Sequence, residues 1–192
     1  MELLTNTYHL HPLPLSEPGQ FVELDMGCGK GGFTLALAAR YPQRLVLGND
    51  VMIGRLAAID RKRARLGLEN LQLLRAESLQ LVSFQLPPAS IDRVHLLCPD
   101  PWPKKNHVGH RLVCMDFLCR LPRILKPGAI LHMSTDYAPY FDLWLDMLAK
   151  CPWFEDCPDG AADIADLKTD FEKQWLALGC PVRHLTRKLR TL

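Results

Sequence analysis

The sequence predicts a doubly wound α/β sheet, mostly parallel, and three observations predict it. Short apolar runs alternate with helical stretches in short units along most of the chain. A glycine-rich turn, Asp25 to Gly32, falls between the first such run and the first helical stretch. The 192 residues suit one compact domain with a sizeable core, so residues 1–192 are read as a single domain.

Each element has its own signal. The first twenty residues, with Pro12, Pro14, Pro18 and Gly19, read as an irregular arm. Phe21–Asp25 is the first strand, and a helix follows from Gly32 to Tyr41, stopped by Pro42. Leu45–Gly48 is the second strand. Val51–Leu66 is a helix with Ile53, Leu56, Ala57 and Ile59 on its apolar face, closed by Gly67. Leu71–Leu74 and Val94–Leu97 are the third and fourth strands. A helix is expected from Leu112 to Leu125, ended by Lys126-Pro127-Gly128. Ile130–Met133 is the fifth strand, Tyr137–Lys150 a helix, Thr169–Leu178 another, and Val182–Leu185 the last strand. Ligands of such a sheet bind at the carboxyl ends of its strands.

Composition narrows the class. A hydrophobic share of 48% and a charged share of 23% are those of an ordinary globular protein. A formal net charge of +2 does not by itself indicate nucleic acid, so local clustering must carry that argument. Seven scattered cysteines, without a C-x-x-C pair, fit neither a zinc site nor a disulfide framework. No histidine has metal-ligand spacing, and no metal is assigned. No run is long enough to span a membrane and no secretory leader opens the chain, which reads as a cytoplasmic protein. Monomer and homodimer are both compatible with the sequence.

The turn Asp25-Met26-Gly27-Cys28-Gly29-Lys30-Gly31-Gly32 has the strand-to-helix context of a nucleotide site. Gly27, Gly29 and Gly32 satisfy G-x-G-x-x-G, the dinucleotide fingerprint. Gly27, Gly29 and Gly31 equally satisfy G-x-G-x-G, the pattern of S-adenosylmethionine enzymes. Asp25 leans toward the second, since a carboxylate suits the cofactor's ammonium and repels a pyrophosphate. Asp50 can accept both ribose hydroxyls under either reading. The glycines alone do not decide.

After the fourth strand comes Pro99-Asp100-Pro101-Trp102-Pro103-Lys104-Lys105, a loop stiffened by prolines with a flat ring that could pack beside a base. With Gly48-Asn49-Asp50, Ser134-Thr135-Asp136-Tyr137 and Thr169-Asp170-Phe171-Glu172-Lys173, this chain resembles the bacterial tRNA (guanine-N7)-methyltransferases from residue 21 to about 186. The resemblance implies a Rossmann-like class I methyltransferase fold, S-adenosylmethionine as cofactor and tRNA as partner. It implies cofactor contacts at Asp25, Asp50 and Asp100 and along Gly27, Gly29 and Gly31. It implies substrate contacts at Lys104, Asp136, Thr169 and Glu172, with Asp100 and Asp136 as the carboxylates nearest the chemistry. Where the family carries an acidic or amide residue before an Ala, this chain has Arg75-Ala76-Glu77, so that contact falls to the Ala76 backbone or to Glu77.

Guanine N7 carries a lone pair, so its methylation needs no general base, and positioning and electrostatics suffice. Guanine N1–H and the exocyclic amine are donors, for which Asp136, Glu172 and the Thr169 hydroxyl are suitable acceptors. The competing structural readings are a helix N-cap for Asp136 and a capping box for Thr169 and Glu172. Lys104, Lys105, His107, His110 and Arg111, with Arg183, His184, Arg187, Lys188 and Arg190 at the tail, are the candidates for phosphate contact. Arg61-Lys62-Arg63 reads as a solvated helix face. Rival functions are methylation of another RNA or a small molecule, hydride transfer with a nicotinamide cofactor, and binding without turnover.

Overall fold

A computed structural model of the chain describes residues 2–3 and 19–191. Among them, eight strands form one sheet in the order β1-β4-β3-β2-β5-β6-β8-β7. The strands are β1 (Glu2–Leu3), β2 (Val22–Met26), β3 (Leu45–Asp50), β4 (Leu71–Arg75), β5 (Ile91–Leu97), β6 (Leu125–Thr135), β7 (Phe154–Asp156) and β8 (Arg183–Leu189). The first six pair in parallel, and β8 runs antiparallel to both β6 and β7. The helices are α1 (Gly32–Arg40), α2 (Ile53–Leu66), α3 (Ser78–Gln80), α4 (Met115–Arg120), α5 (Ala138–Lys150) and α6 (Asp170–Ala177).

The doubly wound sheet expected from the sequence is present. From β2 the chain steps outward through β3 to β4, then crosses back to β5 on the other flank. That reversal leaves a crevice outside the carboxyl ends of β2 and β5, where a ligand can enter. All residues of β2 and β3 are buried, because helices cover both faces. On one face Val22, Leu24 and Met26 pack with Phe117 of α4 and Tyr140 and Trp144 of α5. On the other, Phe33 and Leu37 of α1 pack with Leu56 and Ile59 of α2 and with Ile164. Gly67 closes α2 as expected, in the left-handed region at φ 66°, so its N–H reaches the Ala64 carbonyl.

Two expectations need correction, and a third falls mostly outside the described residues. The helix expected from Leu112 to Leu125 is shorter: α4 ends at Arg120 and a 3-10 turn, Leu121–Arg123, follows. Pro122 has no N–H to continue an α-helix, and its ring would meet the carbonyl one turn back. Leu125 instead opens β6, which runs on to Thr135 around an irregularity between its pairings with Ile91 and Arg93. The last strand is longer than Val182–Leu185 because β8 pairs on both edges, reaching Leu189. The arm expected over residues 1–20 lies mostly outside the described residues; Glu2–Leu3 pair with β4 as a strand.

Candidate functional site

The glycine loop leaves β2 at Met26 and delivers the chain to α1. Gly27 and Cys28 both donate their N–H groups to the Asn49 carbonyl, at 2.9 and 2.8 Å, which ties the loop to the end of β3. Gly27, Gly29 and Gly31 take φ values of 76°, 58° and 77°. Their surroundings separate them. A Cβ on Gly27 would meet nothing within 4 Å, and one on Gly29 would meet only the Gly27 carbonyl, at 3.9 Å. A Cβ on Gly31 would stand 2.5 Å from the Ile59 side chain. The first two glycines therefore face open space, while the third lets α1 pack against α2.

A cavity of about 270 Å³ occupies that open space and brings together Asp25, Gly27, Gly29, Asp50, Asp100, Trp102 and Thr169. Asp25 is 3% exposed and accepts the Thr34 hydroxyl. Burial, helped by the charges of Asp50 and Glu23 and opposed by Thr34 and His95, pushes its carboxyl up to about 6. Asp50 accepts the Met52 N–H on Oδ1 at 2.8 Å and the Gly29 N–H on Oδ2 at 3.1 Å. These bonds fix the carboxylate, and each oxygen keeps a lone-pair site for a ligand hydroxyl. Arg55 stands 3.5 Å from Asp50.

The far wall is the proline loop after β5. Cys98 and Trp102 hold positive φ, 50° and 40°, on either side of Asp100. Such strain in bulky residues persists only where the surroundings over-determine it. Arg111 supplies part of that hold: its guanidinium donates to the carbonyls of Pro101 at 2.8 Å and Trp102 at 3.3 Å and lies over the Tyr140 ring. Arg111, expected among the phosphate candidates, thus spends part of its guanidinium on clamping this loop. His107 and His110 pack against Trp102. Lys104 is exposed beyond the cavity.

The cavity does not take in Gly31, Ala76, Glu77, Lys104, Asp136 or Glu172. Ala76 is buried with its carbonyl accepting from Asn49, and Glu77 caps α3 through the Gln80 N–H at 2.8 Å. Ser78, which the sequence did not single out, lines the cavity instead. Asp136 lies between β6 and α5 without capping the helix; Thr135 Oγ1 accepts the Tyr137 N–H there. Thr169 caps α6 by accepting the Glu172 N–H at 3.0 Å. The Glu172 carboxylate, 2% exposed, does not complete a capping box but meets Lys168 Nζ and His184 Nε2, both at 2.9 Å.

Of the tail group, Arg187 pairs with Asp156, Arg183 stands 3.6 Å from Asp142, and His184 meets Glu172. These partners leave the tail a weaker phosphate surface than its charge suggests. A larger cleft, of about 660 Å³, lies between residues 156–168 and β8, with Ala161, Ile164 and Leu185 in its apolar wall. Among the described residues no cluster could hold a metal ion, and no helix is long and apolar enough to cross a membrane.

Residues 19–185 match the model of a family described as "Putative methyltransferase". The chain is 35% identical over 158 residues to the tRNA (guanine-N(7)-)-methyltransferase of Paracidovorax citrulli, covering 81% of this chain and 64% of that protein. It is 31% identical over 185 residues to the protein of the same name from Caulobacter vibrioides (strain NA1000 / CB15N), covering 94% and 81%. The chain belongs to this methyltransferase family. It spans just under two thirds of the length of the Paracidovorax relative. The fold is also that of the 16S rRNA methyltransferase KamB, with a TM-score of 0.65 at 22% identity over 90% of this chain and 89% of that one. A SAM-dependent methyltransferase from Aquifex aeolicus is similar too, with a TM-score of 0.59 at 16% identity over 88% and 82%.

Proposed function

We propose that the protein transfers the methyl group of S-adenosylmethionine to N7 of a guanine in tRNA, in the cytoplasm, on one domain built around its single sheet. The observation that carries the reading is the cavity in which Asp25, Asp50 and Asp100 meet the capped start of α6 at Thr169. The residues fit the cofactor. Gly27 and Gly29 leave room for a close approach, Asp25 offers a buried carboxylate to an ammonium, and Asp50 offers anchored acceptors to a ribose. S-adenosylmethionine supplies an electrophilic methyl group on a sulfonium.

The protein's own part is placement. Asp100 is fixed by the strained loop and carries negative charge to the side of the crevice where cationic character moves from sulfur to purine. Trp102 offers a ring face at the rim. Thr169, and Glu172 and Asp136 beyond the cavity, are the acceptors for the donor edge of guanine. A base held by that edge is unpaired or extruded. Lys104, exposed past the loop, serves the phosphate backbone.

Incubation with S-adenosylmethionine and unmodified total tRNA, followed by nucleoside analysis, tests the proposal. 7-Methylguanosine is expected. Its absence, with the cofactor bound and the protein folded, refutes the substrate assignment.

A further inference from the structure

Five side chains from five elements form one continuous hydrogen-bonded line across the sheet. Glu23 Oε2 of β2 meets His95 Nε2 of β5 at 2.7 Å. His95 Nδ1 meets His132 Nδ1 of β6 at 3.1 Å. His132 Nε2 meets His184 Nδ1 of β8 at 3.2 Å, and His184 Nε2 meets Glu172 Oε1 of α6 at 2.9 Å. Sheet register explains the alignment. His95 pairs with both Asp25 and His132, and His184 is two residues from Thr186, the partner of His132, so the rings share one face. Glu23 and His95 are 0% exposed and His132 6%, whereas the His184 side chain is 32% exposed.

Counting protons gives this line an unusual property. Both ends are carboxylates. Burial would raise Glu23, but His95 and Arg93 outweigh it and hold the group at about 2. Burial is likewise outweighed at Glu172 by His184 and Lys168, which lower it. Ionised carboxylates only accept. The four junctions therefore need four N–H groups, and three neutral imidazoles carry three. With all four bonds made, one ring is an imidazolium. Burial, with the positive charge that surrounds it, drives His132 down to about 2, so the middle ring stays neutral. Its single proton then decides which end is charged. A proton on His132 Nδ1 makes His184 the cation, and one on Nε2 makes His95 the cation.

We propose that His95, His132 and His184 form a relay that holds one proton beyond three neutral rings, and that His184 positions Glu172 for the substrate. This rests on the reading of Glu172 as a guanine contact. Positive charge developing on the purine repels an imidazolium at His184 and draws the charge inward. His184 Nδ1–H passes to His132 Nε2, and His132 Nδ1–H passes to His95 Nδ1. Each transfer breaks one N–H bond and forms another, no proton leaves the protein, and one unit of charge moves from His184 to His95. Glu172 then faces the purine cation with its negative charge less compensated.

The charged groups facing the relay permit either state. Around the inner end, Glu23 and Asp163 are matched by Arg93 and Arg44, with Asp25 nearby. At the outer end Glu172 is matched by Lys168. With Asp25 the inner end holds one carboxylate more than its cations, which favours the charge at His95, the direction in which a charge arriving at the substrate drives the relay.

The test uses the full chain labelled with 15N-histidine and long-range 1H–15N spectra. At about pH 8, above the range in which an ordinary imidazole is charged, one imidazolium equivalent is expected to persist among the three relay rings. It is expected to vanish in His132→Leu, which removes the two central junctions. Should that variant fail to fold, His184→Gln, at a partly exposed site, takes its place. Glutamine keeps a donor for Glu172 but holds no charge, and turnover is expected to fall about tenfold while KM for tRNA stays within about twofold. Release of the excess proton in alkaline solution should lower the rate of the unaltered enzyme, and the pH profile of His184→Gln should lose that fall. Three neutral rings at that pH overturn the relay, and an unchanged His184→Gln rate and profile overturn the positioning role. If the excess proton is seen in a protein that methylates no tRNA, the functional reading fails and the relay stands.

Discussion

Gly31→Ala and Gly27→Ala are equivalent by motif and are expected to behave differently. Both glycines hold positive φ, where alanine costs roughly 1–2 kcal/mol. At Gly27 little else is added, because a Cβ there meets nothing within 4 Å. At Gly31 the new methyl would stand 2.5 Å from Ile59 Cγ1 and 2.7 Å from Cδ1. Ile59 is 0% exposed and cannot swing into solvent, so overpacking adds about 1–3 kcal/mol. A total near 3 kcal/mol lowers the melting temperature by about 6–12 °C in a chain of this size, against about 2–8 °C for Gly27→Ala. Cofactor affinity should show the opposite order, since the Gly27 methyl projects toward the cavity and the Gly31 methyl does not. Thermal unfolding without ligand, then titration with S-adenosylmethionine, measures both. Ile59→Ala removes the clashing atoms, so the Gly31→Ala/Ile59→Ala pair should lose about 1–3 kcal/mol less than the two single losses together. Strict additivity, or equal stability losses at the two glycines, would refute the division of roles.

Asp25 gives a pH signature. Its carboxyl is raised to about 6 by burial, so the native state binds the proton more tightly than the unfolded chain, and stability falls as pH rises from about 4 through 6. Asp25→Asn removes that loss of about 3 kcal/mol, so the ligand-free variant should be more stable than the parent near neutrality in urea unfolding, while binding S-adenosylmethionine more weakly. A variant no more stable above about pH 7 contradicts the burial argument. Thr169→Ala should cost about 1 kcal/mol of stability through the lost α6 cap, read from the urea midpoint. Lys104→Ala should weaken tRNA binding and reduce the salt slope by about one unit with cofactor affinity intact. Arg111→Ala should weaken cofactor binding, because it releases the loop that holds Asp100; filter binding beside calorimetry separates the two.

What the sequence made legible follows from which signals are local. The β2–α1 turn, α2 with its Gly67 closure, and β4 carry their periodicity and punctuation within a few residues. The α4 region misled because apolar residues from Leu112 to Leu125 suit a helix by composition, while Pro122 acts on the hydrogen bonding of a single turn. β8, Arg-His-Leu-Thr-Arg-Lys-Leu, reads as a polar tail because its partners on both edges are supplied by distant segments. The relay was invisible for the same reason: its rings are 37 and 52 residues apart, and only strand order makes them neighbours. One local signal was present. β2 alternates Glu23 and Asp25 with apolar residues although it lies at the centre of the sheet, and a charged face on a central strand demands buried partners.

The structure also bears on the choice that the glycines left open. A dinucleotide places its pyrophosphate at the N-terminus of the helix after the first strand, on free backbone N–H groups. In this protein the start of α1 is covered by an acid. Gly32 lacks a Cβ where one would fall 2.5 Å from the Asp170 carboxylate. Asp170 belongs to α6, an element far along the chain, and its charge suits the helix N-terminus as a phosphate would. The same cavity is lined by Asp25, Asp50 and Asp100, against the cations Lys30 and Arg55. Two phosphate charges would enter that field only against repulsion, whereas a ligand bearing an ammonium and a sulfonium is drawn into it. Helix geometry and the sign of the cavity thus favour the G-x-G-x-G reading over the dinucleotide one, on grounds independent of the motif.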